Sequence, residues 1–307
     1  MKKILLVSIL LVSAFYGHIG QVCAAPIDDV NAADAKYKVE DYAIPSFTQF
    51  LIAKEAARKN PTEETVAVMN KAIAALKPYQ YPYDVVVNIN GDPTTRMAFC
   101  WYTNDRMTEG KVQLTPLADL SQLSSAFDAA SNVITVDATP TATKKSRYAI
   151  GLSGIPEATG VSMATKYKYT SHKAIAEGLT PNTVYAYRVG TEGYWSEVAY
   201  FTTAPTNNPD ASEEFTFIYM TDSHIQDQKY VNTARVAATA AALNTPEAKF
   251  CVFPGDFVET GGNGNPEWEW ERWFEEALRP VIKQMPIVPT DGNHDDSNNL
   301  NYTYHFN

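Results

Sequence analysis

Three short apolar runs, each followed by a compact polar motif, constrain the last third of this 307-residue chain. The runs span residues 215–220, 250–254 and 286–289, and the motifs after them are Thr-Asp-Ser-His, Gly-Asp-Phe-Val-Glu and Gly-Asn-His-Asp. Segments with helical character, at about 230–243 and 267–284, separate the runs. This alternation of strands and helices predicts a parallel α/β sheet. The motifs should then share the edge at the carboxyl ends of the strands.

Five polar side chains are expected to converge at that edge: Asp222, His224, Asp256, Asn293 and His294. Carboxylate, imidazole and amide groups suit zinc, iron or manganese, and one carboxylate can bridge two ions about 3.5–4 Å apart. The glycines before Asp256 and Asn293 allow sharp backbone turns beside such ions. A single Asp after a strand would normally cap a helix. Because independent coincidence of all five is improbable, the set predicts a metal site.

The same motifs carry a resemblance to a known family. Asp-x-His, Gly-Asp-x-x-Glu and Gly-Asn-His-Asp, in this order after three strands, resemble the calcineurin-like metallophosphoesterase superfamily. Each motif is weak by itself, whereas the three together are specific. The resemblance covers residues 213–307 and implies an α/β metallophosphoesterase sandwich that holds two metal ions, of iron, zinc or manganese.

The resemblance also implies a role for each side chain. The metal ligands would be Asp222 and His224 for the first ion, Asp256 as the bridge, and Asn293 for the second ion. His294 would lie beside the substrate, where it would stabilise charge on the phosphoryl oxygens or protonate the leaving oxygen. Asp295 would orient the His294 ring. The nucleophile would be a metal-bound hydroxide, since the ions lower the pKa of water.

Two features depart from the family pattern. Purple acid phosphatases have a glycine in place of His224 and a metal-bound tyrosine at the position of Glu259, so a tyrosinate colour is not expected. The family pattern also continues with further histidines, but only His305 follows His294 before the last residue, Asn307. We therefore expect the sequence to hold the first half of the catalytic domain and this fragment alone to be inactive.

A β-rich domain is predicted over residues 81–205, where apolar residues alternate with period two between turn residues. Residues 178–189 resemble the corner of a fibronectin type III sandwich, with a leucine in the core and a tyrosine that anchors the loop. A linker rich in Asn, Pro and Asp follows at 206–212. A fibronectin-like domain directly before a metallophosphoesterase domain resembles the layout of purple acid phosphatases.

Residues 1–25 are predicted to be a secretory signal peptide, because two lysines precede an apolar run and small residues follow it. The run is too short for a membrane span. A buried N-terminal helix is the alternative, but no polar pattern marks its faces. Cys23 also allows lipoprotein anchoring, although the usual spacing before the cysteine is absent. We expect an exported protein, periplasmic or extracellular.

Residues 26–80 are predicted to form a leader followed by helices. The first part, to residue 39, looks polar and aperiodic. Apolar spacing predicts one helix over 46–60 and a second that starts with Asn60 as its cap. Pro78 would stop the second helix.

Charge and cysteine content exclude some function classes. The net charge of −10 leaves no basic footprint for nucleic acid, and no later segment is long and apolar enough to span a membrane. Cys100 and Cys251 lie in apolar runs of different domains, which favours two buried thiols over a disulfide.

Two functions from different classes follow from the sequence. The first is a secreted phosphoesterase, with a phosphate monoester favoured over a diester as substrate. The alternative is a non-catalytic exported binding or adhesion protein with an inert metallophosphoesterase domain. The intact set of metal-site residues favours the enzyme.

Overall fold

The computed structural model describes residues 25–128, 130–143, 146–147, 166–206, 214–259, 267–295 and 301–307. The predicted signal peptide, Cys23, most of the linker and the glycine-rich residues 261–265 lie outside these ranges. Three parts follow one another: helices, a two-layer β domain and an α/β unit. This order matches the predicted multidomain architecture.

The described residues begin with three α-helices: α1 (Pro26–Lys36), α2 (Ile44–Lys59) and α3 (Glu63–Ala74). The prediction of an aperiodic leader before residue 39 was wrong. Proline in the first turn, acidic residues after it and Lys36 in the last turn suit a helix, and Val30 is fully buried among the other two helices. The cap of α3 also differs from the prediction. Thr62, rather than Asn60, accepts the Thr65 amide in a capping box.

The part of the β domain that the structure describes contains eleven strands: β1 (Tyr83–Asn88), β2 (Met97–Asn104), β3 (Lys111–Pro116), β4 (Ile134–Asp137), β5 (Thr139–Ala142), β6 (Ser146–Arg147), β7 (Lys166–Tyr167), β8 (Tyr169–Ala176), β9 (Val184–Thr191), β10 (Tyr194–Trp195) and β11 (Ala199–Thr202). One layer contains β1, β2, β8 and β5, and the other contains β10, β9, β3 and β4, with β11 beside β9. Side chains from both layers form one core that includes Phe99, Leu114 and Phe201. The predicted period-two pattern therefore corresponds to a β-sandwich.

The predicted corner of the β domain has both expected contacts. Leu179 is 2% exposed and belongs to the sandwich core. The Tyr185 hydroxyl accepts a hydrogen bond from the Thr180 amide at 3.0 Å, which ties the loop to the next strand.

The α/β unit contains β12 (Ile218–Tyr219), α4 (Gln228–Asn244), β13 (Cys251–Phe253), α5 (Glu267–Arg272), α6 (Arg279–Ile282), β14 (Ile287–Pro289) and α7 (Asn301–His305). A π-helical turn, Trp273–Ala277, separates α5 from α6. The single helix predicted over 267–284 is therefore divided. Pro280 has no amide hydrogen, so it can begin α6 but cannot continue an α-helical ladder.

Parallel pairing joins the two larger domains in one sheet. The order is β12-β13-β14-β1-β2-β8-β5, and β1 meets β14 where Asn88 lies opposite Ile287. The Ile89 amide donates to the Ile287 carbonyl at 3.0 Å. The last residues also pack on the β domain, because Ser171 donates to the Tyr304 carbonyl at 2.6 Å. The sequence did not predict this shared sheet.

Within the described residues, no helix is long and apolar enough to cross a membrane. Cys100 and Cys251 are buried, free thiols, as predicted.

Candidate metal centre

The carboxyl ends of β12, β13 and β14 carry the three predicted motifs to one edge of the sheet. The loops are held together by main-chain hydrogen bonds. The Asp222 amide donates to the Gly255 carbonyl at 3.3 Å, and the His224 amide donates to the Asp256 carbonyl at 3.1 Å. The predicted convergence of the motifs is therefore present in the backbone.

Backbone strain is concentrated at these loops. In the described part of the chain, five non-glycine residues have positive φ, and three of them are Asp222 (56°), His224 (42°) and Asp256 (52°). Such angles are uncommon for residues with a Cβ and persist only where the surroundings enforce them. Strained positions of this kind concentrate at functional sites.

A pair of glycines lets two of the loops touch. Gly255 has φ of 96°, and a Cβ there would lie 2.5 Å from the Gly292 amide nitrogen. A Cβ on Gly292 would lie 2.2 Å from Asp256 Oδ1 and 2.4 Å from the Asp256 amide nitrogen. Only glycine fits at either position, so the second and third motifs approach closely because both carry a glycine.

Three side chains form a cluster that could hold a metal ion. Ligand atoms of His224, Asp256 and His294 all lie within 4.8 Å of one another. His224 Nε2 lies 3.6 Å from Asp222 Oδ1 and 3.7 Å from Asp256 Oδ2. Two ligands that share a zinc ion at about 2.0–2.2 Å are separated by about 3–3.5 Å. The observed separations of 3.6 and 3.7 Å are slightly longer than this, so the side chains are grouped near an ion site and would move closer together to share an ion.

The side chains at the centre are partly accessible to solvent. The Asp222 side chain is 60% exposed, whereas the Asp256 side chain is 15% exposed. Asn293 is exposed at the start of the third motif. The individual ligand roles of Asp222, His224, Asp256 and Asn293 stay predictions.

Asp295 is fully buried and holds the loops together. Its Oδ1 accepts the Phe257 amide at 2.8 Å and the Val258 amide at 3.2 Å, and its Oδ2 accepts the Gly292 amide at 2.8 Å. The expectation that Asp295 orients the His294 ring is corrected here, because the carboxylate is occupied by backbone amides. Burial raises the pKa of Asp295, and the amide hydrogen bonds act in the opposite direction.

The His294 ring is instead oriented by a main-chain group. Its Nδ1 lies 2.9 Å from the Glu259 carbonyl oxygen, which can only accept a hydrogen bond. That hydrogen bond raises the pKa of His294. The His294 amide donates to Asp256 Oδ1 at 3.0 Å. His294 therefore lies beside the predicted bridging carboxylate, and its place beside the substrate stays a prediction.

Glu259 also lies at the centre, and no role was predicted for it from the sequence. Its Oε2 lies 2.8 Å from His224 Nδ1. Two signals could have indicated it: its place at the end of the Gly-Asp-Phe-Val-Glu motif, in the same loop as Asp256, and its correspondence to the metal-bound tyrosine of purple acid phosphatases.

Other polar and aromatic candidates lie away from the centre. Asp227 caps α4 by accepting the amides of Lys229 and Tyr230. His305 is buried on α7 and contacts Glu267 at 3.1 Å. The aromatic residues of α5 and the π-helical turn pack in the core: Trp268, Trp270, Trp273 and Phe274.

The chain thus joins a β-sandwich to an α/β unit, and candidate metal ligands cluster at the strand ends of that unit. Residues 82–203 match the purple acid phosphatase N-terminal domain, and residues 215–307 match the calcineurin-like phosphoesterases. Together the two matches span more than half of the chain. The chain therefore carries a purple acid phosphatase N-terminal domain followed by a calcineurin-like phosphoesterase domain, which confirms the resemblance predicted from the motifs.

Solved structures resemble this architecture at low sequence identity. The purple acid phosphatase PPD1 from yellow lupin (Lupinus luteus) seeds is 15% identical with a TM-score of 0.50, over 70% of this chain and 36% of that chain. The structure of PhoD is 18% identical with a TM-score of 0.42, over 71% of this chain and 40% of that chain. The likeness to the lupin enzyme shows the fold, and this chain spans 36% of that protein's length. No curated protein matches the chain significantly.

Proposed function

We propose that this chain belongs to an exported phosphoesterase that uses two metal ions to hydrolyse phosphate esters. The observation that carries the proposal is the cluster of His224, Asp256 and His294, whose ligand atoms lie within 4.8 Å of one another at the strand ends. Asp222 Oδ1 lies 3.6 Å from His224 Nε2, and Asn293 follows Gly292, the glycine that packs against Asp256. The family of the second domain supports the same chemistry.

Each residue has a defined task in the proposed reaction. Asp222 and His224 would hold one ion, Asp256 would be shared between the two ions, and Asn293 would hold the second ion through its amide oxygen. When bound, the ions supply Lewis-acid polarisation of the phosphoryl group and activation of the attacking water. His294 Nδ1 faces the Glu259 carbonyl, so its Nε2 is the nitrogen available to the substrate. From there it stabilises charge on the phosphoryl oxygens or gives a proton to the leaving oxygen.

We favour phosphate monoesters as substrates, because the first domain belongs with purple acid phosphatases. A direct comparison of nitrophenyl phosphate with bis-nitrophenyl phosphate tests this preference. A higher kcat/KM for the monoester is expected, and the opposite order would contradict it.

The central test of the proposal removes the bridging charge. Asp256→Asn in the full-length protein keeps the size of the side chain but replaces a carboxylate with an amide, which is a poor bridge. Metal content per chain and hydrolysis of nitrophenyl phosphate should both fall. Asp29→Asn, an exposed position on α1, makes the same charge change and should leave both unchanged. A wild-type protein that binds metal but hydrolyses no phosphate ester would instead favour the non-catalytic alternative.

Export is part of the proposal and rests on residues 1–25. Mass spectrometry of protein from outside the cytoplasm should find a mature start near Ala25 or Pro26. An unprocessed amino terminus would contradict export, and a lipid on Cys23 would show the anchored form.

A further inference from the structure

Glu259 contacts both histidines of the metal centre, through two different groups. Its carboxylate Oε2 lies 2.8 Å from His224 Nδ1, and its backbone carbonyl lies 2.9 Å from His294 Nδ1. The corresponding carboxylate distance to His294 Nδ1 is longer, at 3.6 Å. Glu259 therefore contacts the Nδ1 atom of each ring, with its side chain at His224 and with its main chain at His294.

These contacts select the tautomer of each ring. A carboxylate and a carbonyl oxygen only accept hydrogen bonds, so each neutral imidazole must carry its proton on Nδ1. The lone pair is then on Nε2 of both rings. His224 Nε2 is the atom that lies 3.6 Å from Asp222 Oδ1 and 3.7 Å from Asp256 Oδ2. The hydrogen bond thus points the free nitrogen at the two carboxylates.

The backbone of Glu259 is itself fixed from two sides. Its amide lies 3.2 Å from Glu269 Oε2 on α5 and 3.3 Å from the Ile225 carbonyl. A parallel bridge pairs Ile225 with Val258, immediately before it. The loop after β12 and the loop after β13 are therefore joined at Glu259, the residue that contacts both histidine rings.

We propose that Glu259 is a positioning residue, whose carboxylate fixes the tautomer and orientation of His224 as a metal ligand. The proposal rests on the metal centre described under the proposed function. The rival role is direct metal ligation, because this position resembles the one that carries a metal-bound tyrosine in purple acid phosphatases. The Glu259 carboxylate meets His224 Nδ1, whereas Nε2 is the nitrogen that faces Asp222 and Asp256, and this arrangement favours positioning.

Two substitutions separate the carboxylate from the main-chain contact. Glu259→Ala removes the acceptor of His224 but leaves the backbone carbonyl that His294 uses. Glu259→Gln keeps one acceptor oxygen of similar reach, removes the charge and replaces the other oxygen with an amide NH2 group. Glu247→Ala serves as the matched control, because Glu247 is an exposed glutamate in the turn after α4. Thermal unfolding of each variant establishes that the comparison is made on folded protein.

The first measurement needs no metal. Imidazole nitrogen NMR of the metal-free, full-length protein reports the tautomer of each histidine. Wild type should show a proton on Nδ1 of both His224 and His294. In Glu259→Ala only His224 should lose that preference, while His294 keeps it, and Glu259→Gln should restore it for His224. An unchanged His224 tautomer in Glu259→Ala would overturn the proposal.

The second measurement is zinc affinity by competition with a chelator. Loss of such an outer partner lowers metal affinity by about 10–100-fold, so Glu259→Ala should bind zinc more weakly with the same number of ions per chain. A drop in the number of ions would assign Glu259 as a ligand and overturn the positioning role. If wild type binds no zinc although its tautomers are as expected, the proposed function fails while the hydrogen bond to His224 stands.

Discussion

At the scale of single residues, the loops of the centre are held together by backbone contacts. Asp295 accepts amides from the loop after β13 and from its own loop after β14. Gly255 and Gly292 lie face to face where these loops meet. Any change at this contact must move the backbone that carries Asp256, so the geometry of the ligands depends on residues that bind no metal.

Gly292→Ala tests this dependence. The added Cβ would lie 2.2 Å from Asp256 Oδ1 and 2.4 Å from the Asp256 amide nitrogen, far inside contact distance. Asp256 must move, so we expect zinc affinity and stability to fall together. The measurements are chelator competition and urea unfolding of the full-length protein.

Gly178→Ala is the matched control for Gly292→Ala. Gly178 has φ of 69°, and a Cβ there meets nothing within 4 Å. The Gly178→Ala substitution should lower the free energy of unfolding by about 1–2 kcal/mol through backbone strain alone. It should leave zinc affinity unchanged. Equal metal affinities in both variants would contradict the role of the glycine contact.

His294→Ala in the full-length protein separates a substrate-facing residue from a ligand. If His294 acts on the substrate, the variant should keep its metals while kcat falls by about 10²–10⁴. The loss should be smaller for a nitrophenyl ester than for an alkyl ester, because a good leaving group needs less protonation. A similar loss for both esters would indicate charge stabilisation instead. A variant that loses its metal would show that His294 is a ligand.

At the scale of secondary-structure elements, α4 begins directly after the first motif. Asp227 Oδ1 accepts the amides of Lys229 at 2.8 Å and Tyr230 at 3.2 Å. Asp227→Ala should lower the free energy of unfolding by about 1 kcal/mol, since both amides lose their acceptor. Asp227→Asn keeps an acceptor and should lose only a few tenths of that amount. Urea unfolding measures both, and equal losses would mean that charge, rather than capping, stabilises the helix.

Elements with strong local patterns could be predicted from the sequence. The period-two strands of the β domain and the caps of α4 follow from neighbouring residues. The helix α1 was missed because its buried face is small, with Val30 and Ala33 as its only fully buried residues. The break before α6 was missed although Pro280 could have indicated it. The pairing of β14 with β1 could not be predicted, because it joins residues about 200 positions apart.

The site was predictable to a similar extent. Motifs after strands predicted which polar side chains meet, because the ends of parallel strands share an edge. The sequence could not predict which atoms they contact. Asp295 faces amides and Glu259 faces the histidines, and these contacts depend on loop conformations with positive φ that local propensity does not encode.

At the scale of the whole molecule, the shared sheet places a buried group of acids between the two domains. Asp84 on β1 is 3% exposed, with φ of 51°. Its amide donates to Glu275 Oε1 at 3.1 Å, and its own Oδ1 finds no partner among the described residues. Glu267 and Glu271 on α5 are also buried. Burial, reinforced by Glu275, Glu271 and Glu267, raises the pKa of Asp84 well above its usual value.

This shift makes the domain junction more stable in acid. The folded state holds a proton on Asp84 that the unfolded state releases at a lower pH. The stabilisation is therefore complete below the ordinary pKa of an aspartate and is lost as the pH rises toward the folded-state pKa. The slope is at most about 1.4 kcal/mol per pH unit for one carboxyl group. Glu271 contributes in the same direction, because burial raises its pKa as well.

Asp84→Asn mimics the protonated side chain and should remove its part of the pH dependence. We expect the variant to match wild type near pH 4 and to be increasingly more stable than wild type toward pH 8. Urea unfolding across this range measures the difference in stability between the variant and wild type. Burial lowers the pKa of His172 to about 4, so His172 gives the opposite slope between that pH and its ordinary pKa. This contribution is the same in both proteins and cancels in the difference. Asp92→Asn is the control. Hydrogen bonds from Thr94 lower the pKa of that exposed carboxyl, so Asp92 is already ionised across the range and should add no slope there. A constant difference between Asp84→Asn and wild type at every pH would show that Asp84 stays ionised at the junction.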